Sequence, residues 1–316
     1  MLANAKISII GAGQVGGTTM LRIAEKELAK TVVLLDIVEG LPQGKALDEM
    51  EAAPIEGFDT EIIGTNDYKD TENSDIVIIT SGMPRKPGMS RDDLLEKNVK
   101  IMKDVAENVA KYSPDAIVIV VANPLDAMVY AAKKVGGFAD DKLMGQAGCL
   151  DSTRFARFIA WEAKCSVKAV QAMTLGGHGD DMVPLTSYST VRGVPITKIF
   201  DKETVDRLVE RTRKGGGEIV SLLKTGSAFY ATASAVVQMV EAIVKDTKDI
   251  LPCAVKTQGK YGLDPDLFVG LPAKLGQNGV EEVVELDLSD EELAALKASA
   301  EHVKELCNRI EELKLL

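Results

Sequence analysis

Histidine is scarce in this chain of 316 residues: His178 and His302 are the whole supply, so imidazole chemistry near neutral pH has two candidate positions. Cysteine is thin as well. Cys149, Cys165, Cys253 and Cys307 stand far apart with no CxxC spacing, which argues against a zinc site or a disulfide framework. We expect no metal and reduced thiols, Cys149 being a small buried packing residue. Long apolar runs are missing: IVIVVA at residues 117–122 stops far short of the roughly 18 residues a membrane-spanning helix needs. Positive charge is in deficit, with 37 Lys and Arg against 48 Asp and Glu, a formal net charge of -11 and a pI near 4.9. Non-specific nucleic-acid binding, which rests on cations neutralising phosphates, is therefore not expected. Residues 1–10, MLANAKISII, run straight into a strand-like pattern with no basic, apolar and cleavable segments in order, and the expected location is cytoplasmic. There is no internal repeat and no low-complexity linker.

What is present suggests two domains, since 316 residues at 46% hydrophobic content can bury two ordinary cores. The first half alternates short apolar runs (6–10, 31–36, 76–80 and 116–121) with helix-like stretches (16–28, 40–51 and 94–112). Runs that are apolar at consecutive positions belong to parallel strands covered on both faces. The expected fold is α/β, with a Rossmann-type doubly wound parallel sheet over residues 1–145 and an α+β substrate domain over 146–316. In the second part the spacing predicts a helix at 151–163, β-like stretches at 167–175 and 182–196, and a last helix opened by a capping box of Ser289 and Glu292. Gly215, Gly216 and Gly217 follow no strand, and are read as a loosened stretch of helix rather than a phosphate loop.

Gly11-Ala12-Gly13-Gln14-Val15-Gly16 places a GxGxxG between a strand and a helix, the context in which backbone N–H groups meet a pyrophosphate at a helix N-terminus. Asp36 ends the second strand 20 residues after Gly16, where a carboxylate accepts the ribose hydroxyls of an adenosine and repels a 2′-phosphate. Ile37 offers no cation to such a phosphate. The expected cofactor is NAD rather than NADP.

His178 sits in GGHGDD, exposed by glycines at the end of a β-like segment, whereas His302 lies in a charged C-terminal helix as a solvated residue. Upstream, LDSTRFARF carries Asp151 and Arg154 three residues apart, on one helix face. That spacing also suits a plain surface ion pair. A functional pair would divide the work, Asp151 orienting the His178 imidazole and stabilising its protonated form, Arg154 gripping a substrate carboxylate through two parallel hydrogen bonds.

GAGQVG, the NPLD of residues 123–126, LDSTRF, GGHGD and KTGSAFY together resemble the lactate/malate dehydrogenase family, and within it the lactate-dehydrogenase-like malate dehydrogenases. The motifs stand in the family's order from Gly11 to Tyr230. The resemblance implies reversible hydride transfer between NAD and a 2-hydroxy acid, (S)-malate in the first instance. Lactate or another 2-hydroxy acid is the alternative, and a non-catalytic dinucleotide-binding protein a distant one. It puts the proton-transferring histidine at His178, its partner at Asp151, the carboxylate-binding arginine at Arg154 and the substrate-orienting asparagine at Asn123. Cofactor contacts are expected at Gly11, Gly13, Gln14, Val15, Gly16, Asp36, Asn98, Val121 and Asn123. Gly177, where lactate dehydrogenases usually carry glutamate, and the pocket floor at Ser227 and Ala228 resemble the malate subgroup. A homodimer or homotetramer is implied.

One segment of this acidic chain gathers cations: GMPRKPGMSR, residues 82–91, holds Arg85, Lys86 and Arg91. It follows the third apolar run, so it emerges beside the cofactor. Pro84 and Pro87 limit its conformations, while Gly82 and Gly88 are suited to absorbing a hinge rotation. The resemblance makes it a lid whose carbonyl-polarising arginine is Arg91 and whose substrate-sorting position is Arg85, where lactate enzymes typically have glutamine. Lys86 is left to solvent.

Overall fold

The computed structural model describes residue 2, residues 4–83 and residues 90–316, and at Arg91 the backbone alone. The expectations placed on Pro84, Arg85, Lys86, Pro87 and Gly88, and on the side chain of Arg91, therefore lie outside the described residues.

The first half runs β1 (Lys6–Ile10), α1 (Gln14–Glu25), β2 (Thr31–Leu35), α2 (Leu41–Glu56), β3 (Glu61–Thr65), β4 (Ile76–Ile79), α3 (Arg91–Tyr112), β5 (Ile117–Val120), α4 (Leu125–Gly136) and β6 (Leu143–Gly145). The second half follows with α5 (Gly148–Glu162), five two-residue strands β7 to β11 between Val170 and Pro195, α6 (Ile196–Ile199), α7 (Lys202–Leu223) and α8 (Tyr230–Val244). It closes with β12 (Asp249–Lys256), β13 (Phe268–Gly276), β14 (Gly279–Val283) and α9 (Asp290–Glu312). Nine strands form one sheet in the order β14-β13-β12-β6-β5-β4-β1-β2-β3. β1 to β6 are mutually parallel in the doubly wound order 3-2-1-4-5-6, while β12 joins antiparallel through Ala254 opposite Gly145.

Consecutive apolar residues in the strands serve opposite faces. Ile7, Ile9, Val32, Leu34, Ile76 and Ile78 belong to one core with Met20 and Ile23 of α1 and Val236 and Val240 of α8. Ile10, Leu35, Val77, Ile79, Val118 and Val120 belong to the other, with Leu95 and Val99 of α3 and Met128 of α4. A third core, Phe155, Ile159, Ile196, Val205 and Leu208, seats α5 on α6 and α7.

The four expected runs are strands and the expected capping box is present, together with a second one that the sequence reading did not name. Ser90 and Asp93 open α3 three residues before the expected start, which makes Arg91 its first residue. Ser289 and Glu292 open α9. The second helix runs beyond the expected Glu51, through Pro54, to Glu56. Residues 167–175 are not one strand but a 3-10 turn at Val167–Ala169 and two short strands, Val170–Gln171 and Thr174–Leu175. The glycines 215–217 lie inside α7, which continues unbroken to Leu223. Strands β12 and β13 escape the sequence reading because Pro252 and Pro272, paired opposite each other, and Gly270 break the usual strand signal. Helix α8 escapes it because its buried residues point all round, leaving no amphipathic stripe. No described helix is long and apolar enough to cross a membrane.

Candidate active site

The parallel strands all end on one edge of the sheet, and the residues singled out above follow those ends. The glycine loop follows β1, Asp36 follows β2, the stem of the 82–91 segment follows β4, and Asn123 follows β5. Ligands of open α/β sheets sit in this crevice, where the strand order reverses between β1 and β4.

Helix α5 begins at Gly148, early enough to put Asp151 in its first turn, where the helix dipole favours a carboxylate. Asp151 is 1% exposed, and the surface ion pair is thereby excluded. One oxygen, Oδ1, accepts from Arg154 Nη1 at 3.0 Å; the other, Oδ2, accepts from His178 Nδ1 at 2.8 Å. With Nδ1 donating to Asp151, Nε2 is left for proton exchange. Burial opposes a charged imidazole. The Asp151 charge and hydrogen bond push the other way, Arg154 works against them and Asp126 with them, and the proton affinity of His178 ends above the ordinary histidine value. Arg154 Nε is buried and has no hydrogen-bond partner among the described residues, so a guanidinium N–H remains for a carboxylate that enters.

The glycine loop fits a dinucleotide. Gly11 has φ +113°, and a Cβ on Gly16 would stand 1.8 Å from the Gly11 carbonyl, so the first turn of α1 packs directly on the loop. A Cβ on Gly13 would meet nothing within 4 Å, so the loop is open there. α1 has no side-chain cap and no acid in its first turn, and its N-terminal amides suit an anion. Asp36 accepts from Ala12 N at 2.6 Å and from Val38 N at 2.9 Å, which fixes its carboxylate beside the loop. Ile37 is exposed.

Asn123 is exposed at the end of β5, and its peptide bond to Pro124 is cis. Val121 is buried and its N–H donates to Ile79 O at 2.9 Å. Asn98 sits on α3 with its amide committed to the backbone: Oδ1 accepts from Met83 N at 2.8 Å, and Nδ2 donates to Met83 O at 3.1 Å and Asn123 O at 2.6 Å. It ties the stem of the 82–91 segment to the strand end bearing Asn123. Ser227 is exposed and Ala228 half-buried in the connection between α7 and α8. His302 is half-exposed and pairs with Asp181 at 3.2 Å. Cys149 is buried, its Sγ 3.7 Å from Cys253 Sγ. Among the described residues no cluster of His, Cys, Asp and Glu is fit to hold a metal ion.

Four residues contribute here in ways the sequence reading missed. Lys45 on α2 reaches the loop and donates to Gly13 O at 3.1 Å. Asp126, buried in α4, accepts from His178 N at 2.8 Å through Oδ2. Gly215 and Gly216 let α7 close on Arg154, since Cβ atoms there would stand 3.3 Å from its Cδ and 3.7 Å from its Nη2. Only the NPLD motif hinted at Asp126, and only the glycine run hinted at close packing.

Two family models match the chain, one described as lactate/malate dehydrogenase, NAD binding domain, over residues 5–145, the other as lactate/malate dehydrogenase, alpha/beta C-terminal domain, over residues 149–314. The malate dehydrogenase of Chlorobium limicola is 56% identical over 306 residues, covering 97% of this chain and 98% of that protein. That of Methanosarcina mazei is 54% identical over 306 residues, with 97% and 99% covered. Among solved structures, malate dehydrogenase from Salinibacter ruber matches with a TM-score of 0.93 at 51% identity, covering 98% of each chain. The lactate dehydrogenase from Cryptosporidium parvum, complexed with lactic acid and nicotinamide adenine dinucleotide, matches with a TM-score of 0.94 at 42% identity, covering 98% of this chain and 99% of that one. Backbone similarity alone thus does not separate the two activities.

The approach of α7 to Arg154 is testable. Gly215→Ala favours the helix by about 1 kcal/mol, so the fold should survive or gain, yet its methyl group presses on the guanidinium stem. With NADH present, affinity for the small carboxylate oxalate should fall several-fold by calorimetry, while Gly217→Ala, whose Cβ meets nothing within 4 Å, should leave it unchanged. Equal affinities in both variants would remove α7 from the positioning of Arg154.

Proposed function

The chain belongs to the lactate/malate dehydrogenase family, and from that premise we propose that it works as an NAD-dependent malate dehydrogenase, interconverting (S)-malate and oxaloacetate. The observation that carries this reading is the buried carboxylate of Asp151, held between His178 at 2.8 Å and Arg154 at 3.0 Å. It supplies a proton donor and a carboxylate receptor in fixed relation.

NAD, when bound, accepts or delivers the hydride at its nicotinamide ring. In reduction, His178 gives its proton to the carbonyl oxygen of oxaloacetate while Asp151 stabilises the imidazolium beforehand. In oxidation, neutral His178 takes the hydroxyl proton of malate. Arg154 grips the carboxylate beside the reacting carbon, and Asn123 orients the substrate with its amide. Arg91 stabilises charge developing on the carbonyl oxygen, an effect typically worth about 3 to 4 kcal/mol in comparable sites. Arg85 meets the second carboxylate. Gly11, Gly13, Gln14, Val15 and Gly16 receive the pyrophosphate, Asp36 the adenosine ribose, and Asn98, Val121 and Asn123 complete the cofactor site. These assignments rest on the motifs, and for the first group on the open loop and uncapped helix described above.

We assign residues 1–145 to the cofactor domain and 146–316 to the substrate domain, and infer a cytoplasmic enzyme of the tricarboxylic acid cycle. A homodimer or homotetramer is supported by α2, which exposes Leu41, Leu47, Met50 and Ile55 to solvent, a face a second copy of the chain would cover.

Specificity rests on Arg85. Enclosing that guanidinium over pyruvate, which lacks a second carboxylate, strands a charge at a cost of roughly 3 to 5 kcal/mol. At about 1.4 kcal/mol per decade, oxaloacetate should be preferred by two to three decades or more. Following NADH absorbance, Arg85→Gln should lose at least about a hundredfold in oxaloacetate turnover and gain pyruvate activity; a wild-type protein that reduces both equally would sink the assignment. The raised proton affinity of His178 sets the pH dependence. Reduction needs the protonated form, so kcat/KM for oxaloacetate is sustained up to that raised value and falls above it, while kcat/KM for malate oxidation rises through the same interval. Profiles of the same shape in both directions would take His178 out of the role. Light scattering at micromolar concentration should give twice or four times the chain mass of 33.9 kDa, and a monomer would refute the oligomer.

A further inference from the structure

Asp126 takes part in none of the steps above, yet it is buried at the centre of the machinery that performs them. It lies in the first turn of α4, three residues after Asn123, and its Oδ2 accepts the backbone N–H of His178 at 2.8 Å. The preceding amide is taken the same way from the other side, Gly177 N donating to Ser299 Oγ of α9 at 2.9 Å. Ser299 is buried too, and a Cβ on Gly177 would stand 2.8 Å from Val303 Cγ2 of the same helix. Two consecutive amides of the histidine loop are thus anchored by side chains from two elements. The other oxygen, Asp126 Oδ1, is buried with no hydrogen-bond partner among the described residues. A serine or asparagine would be the less costly acceptor if an anchor were all that was needed, since an isolated buried carboxylate is hard to keep charged.

We propose that Asp126 is a second carboxylate of the proton-transfer site, a positioning residue that clamps the His178 backbone to the strand end bearing Asn123 and lends its charge to the imidazolium. The inference rests on the reading of His178 as the proton-transferring group. Through it, Asn123, which orients the substrate, and His178, which protonates it, are referred to one turn of one helix. Asp151 fixes the ring and Asp126 fixes the backbone that bears it.

Among the described residues, the charged and titratable groups acting on this pair are few. Asp151 and Arg154 come from α5 and Cys307 from α9, while His178 itself faces Asp126 from its loop. Helix α3 and strands β5, β6 and β13 pack on α4 with apolar side chains such as Leu95, Val99, Val120, Leu143 and Phe268. Burial dominates at Asp126 and Asp151 adds to it; the His178 amide and the imidazolium pull the other way, and the carboxyl ends pushed up to about 6. Above that pH Asp126 is charged and favours imidazolium, and below it the support is lost as the carboxyl takes up a proton.

The chain has two histidines, so replacing His302 by Gln leaves a single imidazole whose proton and nitrogen resonances report His178 directly by NMR. In that background Asp126→Asn keeps an acceptor oxygen for the His178 amide and removes the charge. The His178 midpoint should fall by about half a unit or more, and the high-pH limb of oxaloacetate reduction should move down with it. Asp126→Ala, which leaves the amide without its acceptor, should lose at least about tenfold in kcat/KM. A midpoint unmoved in Asp126→Asn overturns the proposal. Should that variant fail to fold, Asp126→Ser, which keeps an oxygen for the His178 amide in a smaller side chain and removes the charge, decides the matter by the same titration: a midpoint at the wild-type value overturns the proposal. The resonance titration needs no turnover, so an enzyme inactive on oxaloacetate would defeat the functional reading while leaving this measurement meaningful.

Discussion

A carboxylate removed from water must be compensated, and at Asp151 the compensation is the site itself. Its two oxygens are divided between the Arg154 guanidinium and the His178 imidazole, and both neighbours acquire fixed positions from the same anchor. The arrangement has a cost built in, because deleting one partner leaves a buried charge short of half its support. It also has a geometric return. Asp151 and Arg154 are one helical turn apart on α5, so the guanidinium and the orientation of the imidazole are both set by one rigid rod. That rod is held in turn by Phe155 and Ile159, packed against α6 and α7.

The sheet extends this constraint across the molecule. Parallel strands deliver the glycine loop, Asp36 and Asn123 to one edge, and the antiparallel strands contributed by the second half continue the same sheet through Gly145 and Ala254. Gly176, two residues before His178, exchanges backbone hydrogen bonds with Gly270 of β13, at 2.8 and 3.1 Å. The histidine loop is therefore tied to the sheet that carries the dinucleotide turn, although more than a hundred and fifty residues separate them in the chain. Side chains from α4 and α9 close the loop from either side. Hydride transfer demands that donor and acceptor meet within tenths of an ångström, and a continuous hydrogen-bonded sheet is stiff enough to hold that register.

Much of this was legible in the sequence where local chemistry decides local structure. Consecutive apolar runs marked the parallel strands because both faces are covered, and GxGxxG followed by Asp36 marked the dinucleotide turn because few residues tolerate that backbone path. His178, Asp151 and Arg154 came forward through glycines and helical spacing, and the geometry brings all three together. What stayed hidden depends on partners distant in the chain. Strands β12 and β13 carry facing prolines that only a tertiary partner tolerates, and α8 is apolar all round because it is enclosed. Lys45, Asp126, Gly215 and Gly216 act on residues 32, 52, 61 and 62 positions away, and no local spacing announces such pairs.

The same distinction resolves how a chain with a net charge of -11 can serve an anionic substrate. Charges on the surface are screened over about 8 Å in physiological salt, so the overall excess of acid sets solubility more than binding. Inside the site screening is weak and the local sum matters. Arg154 and protonated His178 bring two positive charges against the one of Asp151, an imbalance in favour of a carboxylate. Asp126, its carboxyl pushed up to about 6 chiefly by burial, is charged above that pH and then supports the imidazolium, while below it the carboxyl is protonated and the support is lost. A neutral residue in its place would leave the imidazolium less supported.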